Sequence, residues 1–404
     1  AACGKCNTVC PVHDVRTTET MGPRGWYTLL TDPSLADEAD ASVRACLNCK
    51  SCRVVCPAGV DVSALVLDRR ALRPDGAAGR LFRFQAERPR LFEGLVKTAA
   101  RTRGLWDNKP GRILIEAASR AVFRKLGPRA RIPRDMILPP LARRTLRERY
   151  ASLAEEGGAK GRIAYFHGCA GNYFDDGVGD ATIALLRHFG GDVVLPRQVC
   201  SGTPIETYGH VGLLRDRARV NIESLLRFET VVTACASCTL SLREYERLFE
   251  DAGWREKAGA LRKRVRHIAE FLVHDMNVPP PKEEWSAGRV TYHSSCHMRA
   301  AGVTREPREL IRRIPGVEFV EMRDADRCAG GAGTYGIKDP ETSTAVFERK
   351  RRGIEGSGAD VVATSCPACM IQLESGLRGS RRVMHVAQVL AEAYGLPIAV
   401  TEGK

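Results

Sequence analysis

The chain has 404 residues, with 62 Lys and Arg against 48 Asp and Glu, a formal net charge of +14, and 15 cysteines. A hydrophobic content of 44% and a charged content of 27% are typical of folded globular proteins and exclude a wholly disordered chain. No run of about 18 apolar residues is present, so no transmembrane helix is predicted, and no secretion signal is recognisable. The features left to explain are the positive charge and the cysteines.

Seven cysteines lie in two motifs near the start of the chain. Residues 46–57, CLNCKSCRVVCP, have the spacing C-x2-C-x2-C-x3-C-P. In this pattern three thiolates of one loop hold a [4Fe–4S] cluster, and the fourth cysteine ligates a neighbouring cluster. Zinc is the alternative, but four-thiolate zinc sites usually use two separated CxxC pairs. Residues 1–11, AACGKCNTVCP, repeat the pattern one cysteine short, so we expect the chain to be truncated immediately before Ala1.

The two motifs together predict a helical ferredoxin-type domain over residues 1–72 with two [4Fe–4S] clusters. By the crossover rule, the two clusters divide the seven thiolates between them. One cluster is assigned to Cys10, Cys46, Cys49 and Cys52, and the other to Cys3, Cys6 and Cys56 with one ligand missing.

The remaining eight cysteines form two quartets that repeat at an offset of 127 to 131 residues. The quartets are Cys169, Cys200, Cys235 and Cys238, and then Cys296, Cys328, Cys366 and Cys369. The surroundings repeat as well: GRIAYFHGC parallels GRVTYHSSC, and VVTACASC parallels VVATSCPAC. Buried structural cysteine is the alternative for any one of them, but four thiols per repeat suit a cubane cluster or tetrahedral zinc.

Each repeat is predicted to be an α/β unit with a parallel sheet. Short β-rich runs at 163–166, 193–195, 231–233, 290–293 and 361–364 end near cysteines. Helices are predicted at 180–189, 213–227, 240–252 and 342–356. Because parallel strands deliver their carboxyl ends to one edge, the thiols of a repeat should converge there. The predicted domains are 161–286 and 287–404.

These motifs resemble a known family. The chain resembles iron–sulfur subunits of flavin-linked dehydrogenases that join a two-cluster ferredoxin domain to two cysteine-rich CCG domains. The C subunit of anaerobic glycerol-3-phosphate dehydrogenase looks nearest, and the glycolate oxidase iron–sulfur subunit and lactate-oxidation proteins are similar. The matching stretches include CLNCKSCRVVCPAGV, TACASCTLSLREY and TSCPACMIQLESGL; residues 73–160 match only loosely.

One departure from the family pattern affects the expected chemistry. Where the family has CCG, this chain has CSG at 200–202 and CAG at 328–330. In the similar domain of heterodisulfide reductases five thiolates hold a non-cubane cluster, so Ser201 and Ala329 favour an ordinary cubane and an electron conduit here. His167, His293 and His297 lie close to cysteines and are either donors to a cluster sulfur or strand-end histidines satisfied by backbone.

The positive charge is local. Residues 69–149 contain 22 Lys and Arg against 7 Asp and Glu, a surplus of 15, and the rest of the chain is close to neutral. Within this region, amphipathic stretches at 91–105 and 112–126 carry basic residues. Residues 73–160 are therefore predicted to be a basic amphipathic linker. This linker is either solvated and packed on the ferredoxin domain, or it contacts an anionic membrane. No nucleic-acid motif is present, and no such partner is expected.

The resemblance implies an electron-transfer subunit. Electrons would come from a flavoprotein that oxidises glycerol 3-phosphate, lactate or glycolate, pass through the two ferredoxin clusters and further iron–sulfur clusters in the repeats, and leave towards membrane quinone. The alternative is a heterodisulfide-reductase-like subunit that reduces a disulfide or quinone at the repeats, and a third hypothesis is a scaffold with zinc sites. No catalytic residue is assigned, and the expected location is the cytoplasmic face of the membrane.

Overall fold

The computed structural model describes residues 3–124, 129–154, 161–174 and 177–398. The N-terminal part, called the ferredoxin unit (residues 3–72), consists of short helices around a small core that includes Val12, Trp26 and Val66. Its helices are α1 (Pro11–Arg16), α2 (Pro23–Thr31), α3 (Ala39–Val43), α4 (Ser51–Val55) and α5 (Val62–Leu72), with 3-10 turns at Asn7–Val9 and Glu19–Met21. The predicted helical character of this unit is confirmed.

The basic segment is also helical. Its elements are α6 (Gly76–Glu87), α7 (Pro89–Arg101), α8 (Arg103–Trp106), α9 (Lys109–Phe123), α10 (Leu146–Arg149) and a 3-10 turn at Ala151–Leu153. Pro89 lies in the first turn of α7, where its missing N–H leaves no bond unmade. The end of the predicted 112–126 helix falls outside the described residues. After residue 129 the backbone contacts both repeats, because Ile137 N–H donates to Ser375 Oγ at 3.1 Å and Ala142 N–H donates to Tyr173 O at 2.9 Å.

The two repeats have the same sheet topology. In the first repeat β1 (Arg162–Tyr165), β2 (Asp192–Val194), β3 (Thr230–Thr233) and β4 (Val265–His267) form a parallel sheet in the order β2-β1-β3-β4. In the second, β5 (Arg289–His293), β6 (Glu318–Phe319), β7 (Val361–Thr364) and β8 (Arg382–His385) pair in parallel in the order β6-β5-β7-β8. The predicted duplicated parallel-sheet fold is therefore confirmed. In each sheet the strand order reverses beside the first strand, between β1 and β3 and between β5 and β7. Folds of this kind bind ligands at the carboxyl ends of the strands at such a reversal.

Helices connect the strands. The first repeat has α11 (Gly168–Tyr173), α12 (Val178–His188), α13 (Thr203–Thr207), α14 (Val211–Leu225), α15 (Ala236–Arg243), α16 (Ala252–Arg264) and α17 (Ile268–Glu270), with a 3-10 turn at Tyr245–Leu248 and a π turn at Phe271–Asp275. The second has α18 (Cys296–Ala300), α19 (Glu306–Arg312), α20 (Tyr335–Lys338), α21 (Pro340–Ser357), α22 (Pro367–Leu377) and α23 (Val386–Ala393). The prediction of a helix at 240–252 is wrong. Helix α15 ends at Arg243, and the Asp251 carboxylate caps a new helix by accepting from Trp254 N–H at 2.9 Å.

The repeats share one apolar core. Ile183 and Leu186 of α12 and Val386 and Leu390 of α23 are buried in the same cluster, although they belong to different repeats. Fusing two cores in this way holds the two sheets in a fixed relation, because separating them would expose these side chains. Within the described ranges, no helix is both long and apolar enough to cross a membrane.

Candidate cofactor-binding site

The ferredoxin unit brings its cysteines together in two groups. Cys10 stands just before α1, yet its sulfur lies within electrostatic range of Cys46 and Cys49, which belong to the second motif. Cys6 interacts in the same way with Cys3 and Cys56. Each group therefore combines cysteines from both motifs, the arrangement that the crossover rule requires of two adjacent clusters.

Burial and mutual repulsion dominate the electrostatics of these thiols. Burial raises the pKa of Cys10 well above the ordinary value of a thiol, and the neighbouring sulfurs of Cys49 and Cys46 raise it further. Burial likewise raises the pKa of Cys52. Several thiolates are costly in such a place unless a cation compensates them, so the set fits a positively charged iron core.

Backbone N–H groups also point at the sulfurs. Asn48 N–H donates to Cys46 Sγ at 3.4 Å, and Val60 N–H donates to Cys56 Sγ at 3.4 Å. Asn48 has a φ of +53°, a left-handed conformation that turns the loop around the thiols. Hydrogen bonds to the ligand sulfurs are one of the means by which a protein tunes the potential of an iron–sulfur cluster.

In the first repeat the four cysteines meet at the carboxyl end of β1 and β3. Cys169 lies at the start of α11, and its sulfur is 3.8 Å from that of Cys200. This shared hydrogen bond lowers the pKa of Cys200 to about 7 and raises that of Cys169. Cys235 caps α15 by accepting from Cys238 N–H at 3.5 Å, and Cys238 is within electrostatic range of Cys169.

The second repeat has the same arrangement. A hydrogen bond between Cys296 and Cys328 lowers the pKa of Cys328 to about 7, and Gly330 N–H donates to Cys328 Sγ at 3.3 Å. Cys369 is within electrostatic range of Cys296 and accepts from Ser295 Oγ at 3.3 Å. Cys366 accepts hydrogen bonds from Cys369 and from Cys235 of the other repeat, which lower its pKa.

These contacts connect all three units. Cys49 of the ferredoxin unit is within electrostatic range of Cys328 and Cys296, and Cys366 touches Cys235 across the boundary between the repeats. A cavity of about 170 Å³, the central cavity, is lined by Cys49 and by all eight cysteines of the repeats. The set that contains Cys49 and the eight thiols of the repeats thus form a continuous series through the interior.

His297 joins the three units in one place. Its Nε2 lies 2.9 Å from Asn48 O in the ferredoxin unit, and its Nδ1 lies 2.9 Å from Ser237 Oγ in the first repeat. Because a carbonyl can only accept, Nε2 carries the proton and Ser237 donates to Nδ1. Burial lowers the pKa of His297, which agrees with a neutral ring. From the sequence, His297 was either a donor to a cluster sulfur or a histidine satisfied by backbone, and its Nε2 donates to a backbone carbonyl. Nothing in the sequence identified Asn48 and Ser237 as its partners.

The other marked residues have local roles. His167 Nδ1 donates to Gly168 O at 2.7 Å, and His293 is fully buried with no partner for Nδ1 among the described residues. Ser201 Oγ donates to Cys238 Sγ at 3.4 Å, and Ala329 is buried. Neither residue at the two departures from CCG supplies a thiol.

A further donor that the sequence did not reveal is Arg299 on α18. Its Nη2 donates to Ser51 Oγ at 2.9 Å, and its positive charge lowers the pKa of Cys328. Its buried Nε has no hydrogen-bond partner among the residues that the structure describes. An unused donor beside a thiolate set fits the sulfide of an iron–sulfur cluster as an acceptor. In the ranges described above, no group of three or more His, Cys, Asp or Glu is arranged to hold a single metal ion.

Comparison with known proteins agrees with this geometry. Residues 163–243 and 290–374 match the cysteine-rich domain CCG, and residues 1–60 match the 4Fe-4S dicluster domain. The C subunit of the anaerobic glycerol-3-phosphate dehydrogenase of Escherichia coli (strain K12) is 32% identical over 97% of both chains. A Bacillus subtilis (strain 168) protein described as "Probable glycolate oxidase iron-sulfur subunit" is 29% identical over 97% of this chain and 93% of its own. Lactate utilization protein A of the same organism is 31% identical over 57% of this chain and 98% of its own.

Proposed function

Because the chain belongs to the family of iron–sulfur subunits with one 4Fe-4S dicluster domain and two cysteine-rich domains, we propose that it carries electrons away from a flavoprotein dehydrogenase. The substrate of that partner is glycerol 3-phosphate or a 2-hydroxy acid such as lactate or glycolate, as the names of the relatives indicate. The electrons leave towards membrane quinone.

The continuous series of thiol sets is the observation that supports this proposal. On this proposal, four sets of cysteines would hold iron–sulfur clusters, which supply one-electron transfer when bound. The sets are Cys3, Cys6 and Cys56; Cys10, Cys46, Cys49 and Cys52; Cys169, Cys200, Cys235 and Cys238; and Cys296, Cys328, Cys366 and Cys369.

The contacts between sets give the series an order. The ferredoxin unit meets the second repeat through Cys49, and the second repeat meets the first through Cys366 and Cys235. All of these cysteines except the exposed Cys3 are buried or half-buried, and His297 connects the three units through its hydrogen bonds with Asn48 and Ser237. We therefore place the ferredoxin unit at the entry and the first repeat at the exit.

The experiment mixes the anaerobic full chain with flavoprotein dehydrogenases for glycerol 3-phosphate, lactate or glycolate and adds the matching substrate. Electron paramagnetic resonance should show reduced clusters with one of these partners, and not when the flavoprotein is omitted. A Cys49→Ser variant should still be reduced in the ferredoxin unit but slowly, or not at all, in the repeats. Repeat signals that appear as fast as in the wild type would contradict the order.

We further propose that the basic segment contacts an anionic membrane. Leu91 and Leu95 on α7 are 50% and 55% exposed, and Leu114 on α9 is 69% exposed, within the segment that carries the charge surplus. Exposed apolar side chains among cations suit the headgroup region of anionic lipid. Arg112 is less suited to this role, since it pairs with Asp107.

Flotation with phosphatidylglycerol vesicles tests the membrane contact. The wild type should float at low salt and less at high salt, because salt screens the attraction. A double variant, Leu91→Gln with Leu95→Gln, should float less. Val54→Gln, which changes a 48% exposed side chain of the ferredoxin unit, is the matched control. Equal flotation of both variants and the wild type would contradict the contact.

A further inference from the structure

A second cavity lies on the outer side of the first repeat, between α14 and the junction of α6 with α7. This outer cleft has a volume of about 480 Å³, and Cys169 and Cys200 line it. The same two cysteines line the central cavity. They therefore stand between the interior series of thiols and the surface.

Two buried polar side chains of the outer cleft have atoms without partners among the described residues. Arg217 on α14 is 7% exposed, and this part of the chain offers no hydrogen-bond partner to its Nε and Nη2. His167 is 6% exposed. Because its Nδ1 donates to Gly168 O, its Nε2 is an acceptor, and no described residue donates to it. Buried polar groups are usually satisfied, so this donor and this acceptor indicate a ligand that carries oxygen.

The remaining wall of the outer cleft is largely apolar. Pro89, Leu213 and Val220 line it together with the ring of Tyr173, which is held by an edge contact at 5.5 Å to Phe92. Four other charged side chains line the cleft: Arg197 and Asp216 are exposed at its rim, and Glu93 and Arg147 are half-buried. Apolar and aromatic walls with a few placed polar groups are typical of sites for a planar organic ring.

The equivalent face of the second repeat is used differently. There, helix α1 of the ferredoxin unit lies against α21 beside Cys328, and Arg349 Nη1 donates to Asp14 Oδ2 at 2.9 Å. The arginine on that face is paired within the chain. Arg217 instead lies beside Cys200, and its Nε and Nη2 have no partner among the described residues, so the outer cleft leaves room for a group that this part of the chain does not provide.

The surroundings of the outer cleft favour a lipid-soluble ligand. Pro89 and Glu93 of α7 line the cleft, and Leu91 and Leu95 of the same helix are exposed. We propose that the outer cleft binds a quinone-type ligand, an inference that rests on the proposed electron-transfer function. Arg217 donates to a ring carbonyl oxygen, and His167 Nε2 accepts from the hydroxyl of the reduced ring.

The test uses the full chain with its clusters and the fluorescent quinone analogue heptyl-hydroxyquinoline N-oxide. Saturable quenching of its fluorescence is expected with the wild type. Arg217→Gln should weaken binding about tenfold or more, because a hydrogen bond from a charged donor is lost. Leu213→Gln, on the apolar wall, should weaken it as well. Arg219→Gln on the same helix is the matched control, since Arg219 turns to Trp254 instead, and it should bind like the wild type.

Several outcomes would overturn the outer cleft as a quinone site. These are the absence of saturable quenching, equal affinities of Arg217→Gln and Arg219→Gln, or displacement of the analogue by inorganic phosphate. Loss of iron and sulfide from Arg217→Gln would assign this arginine to cluster binding instead. Each leaves the electron-transfer proposal standing, as long as a flavoprotein still reduces the clusters of the wild type.

Discussion

Replacing His297 by Ala should loosen the junction of the three units. The change removes the hydrogen bonds to Asn48 O and Ser237 Oγ, both 2.9 Å long. At about 1 kcal/mol net for each bond, local opening of the 46–51 loop should become about 2 kcal/mol easier. Since about 1.4 kcal/mol is a factor of ten, amide exchange in this loop should accelerate roughly 30-fold.

Hydrogen exchange with mass spectrometry on the anaerobic, cluster-loaded protein measures this opening. Ser237→Ala, which removes one of the two bonds, should accelerate exchange roughly fivefold. His297→Gln keeps a donor and an acceptor and should restore part of the protection. His274→Ala is the matched control, because His274 is exposed and pairs with Glu306 instead. Unchanged exchange in His297→Ala, or an equal increase in the control, would show that His297 does not stabilise this junction.

Three other changes have defined outcomes. Burial lowers the pKa of His385 to about 4, so between about pH 6.5 and pH 4 only the unfolded chain takes up a proton at this residue. The free energy of unfolding should therefore fall as the pH falls through this range. In His385→Asn, the temperature of thermal unfolding should depend less on pH. Gly202 has a φ of +99°, and an added Cβ would lie 2.0 Å from Leu214 Cδ1. Gly202→Ala should therefore lower the free energy of unfolding by about 2 kcal/mol or more and release iron from the first repeat. Gly212→Ala is the control, because an added Cβ meets nothing there, and equal iron contents of the two variants would contradict this. Arg70 is buried and donates to carbonyls of both the ferredoxin unit and the first repeat, so Arg70→Gln should speed proteolytic release of the ferredoxin unit; release at the wild-type rate would contradict this role.

The cysteine spacing predicted much of this structure because its physical basis is local. A CxxC after a buried strand places two thiols at the start of a helix, and Cys235 and Cys366 occupy that position in both repeats. The repeat offset then predicts two equivalent sheets. The prediction of one helix at 240–252 was wrong because the first helix ends at Arg243, although apolar residues continue beyond it. The carboxylate of Asp251 caps a separate helix that begins at Ala252.

Contacts between units could not be predicted in this way. The meeting of Cys235 with Cys366 depends on how two sheets share a core, and no spacing in one repeat encodes it. Arg217 belongs to a helix with many arginines, and only the folded structure shows that its guanidinium is buried beside Cys200. The sequence showed the charge surplus of the basic segment, but it did not show that Arg112 forms an ion pair with Asp107.

Metal and acid-labile sulfide analysis of the anaerobically purified full chain shows whether the repeats hold iron–sulfur clusters. We expect iron and sulfide in near-equal amounts, beyond what the ferredoxin unit alone holds. A Cys235→Ser, Cys366→Ser double variant should lose the additional iron and keep that of the ferredoxin unit. Zinc in the repeats, or an iron content that the double variant leaves unchanged, would rule out iron–sulfur clusters there.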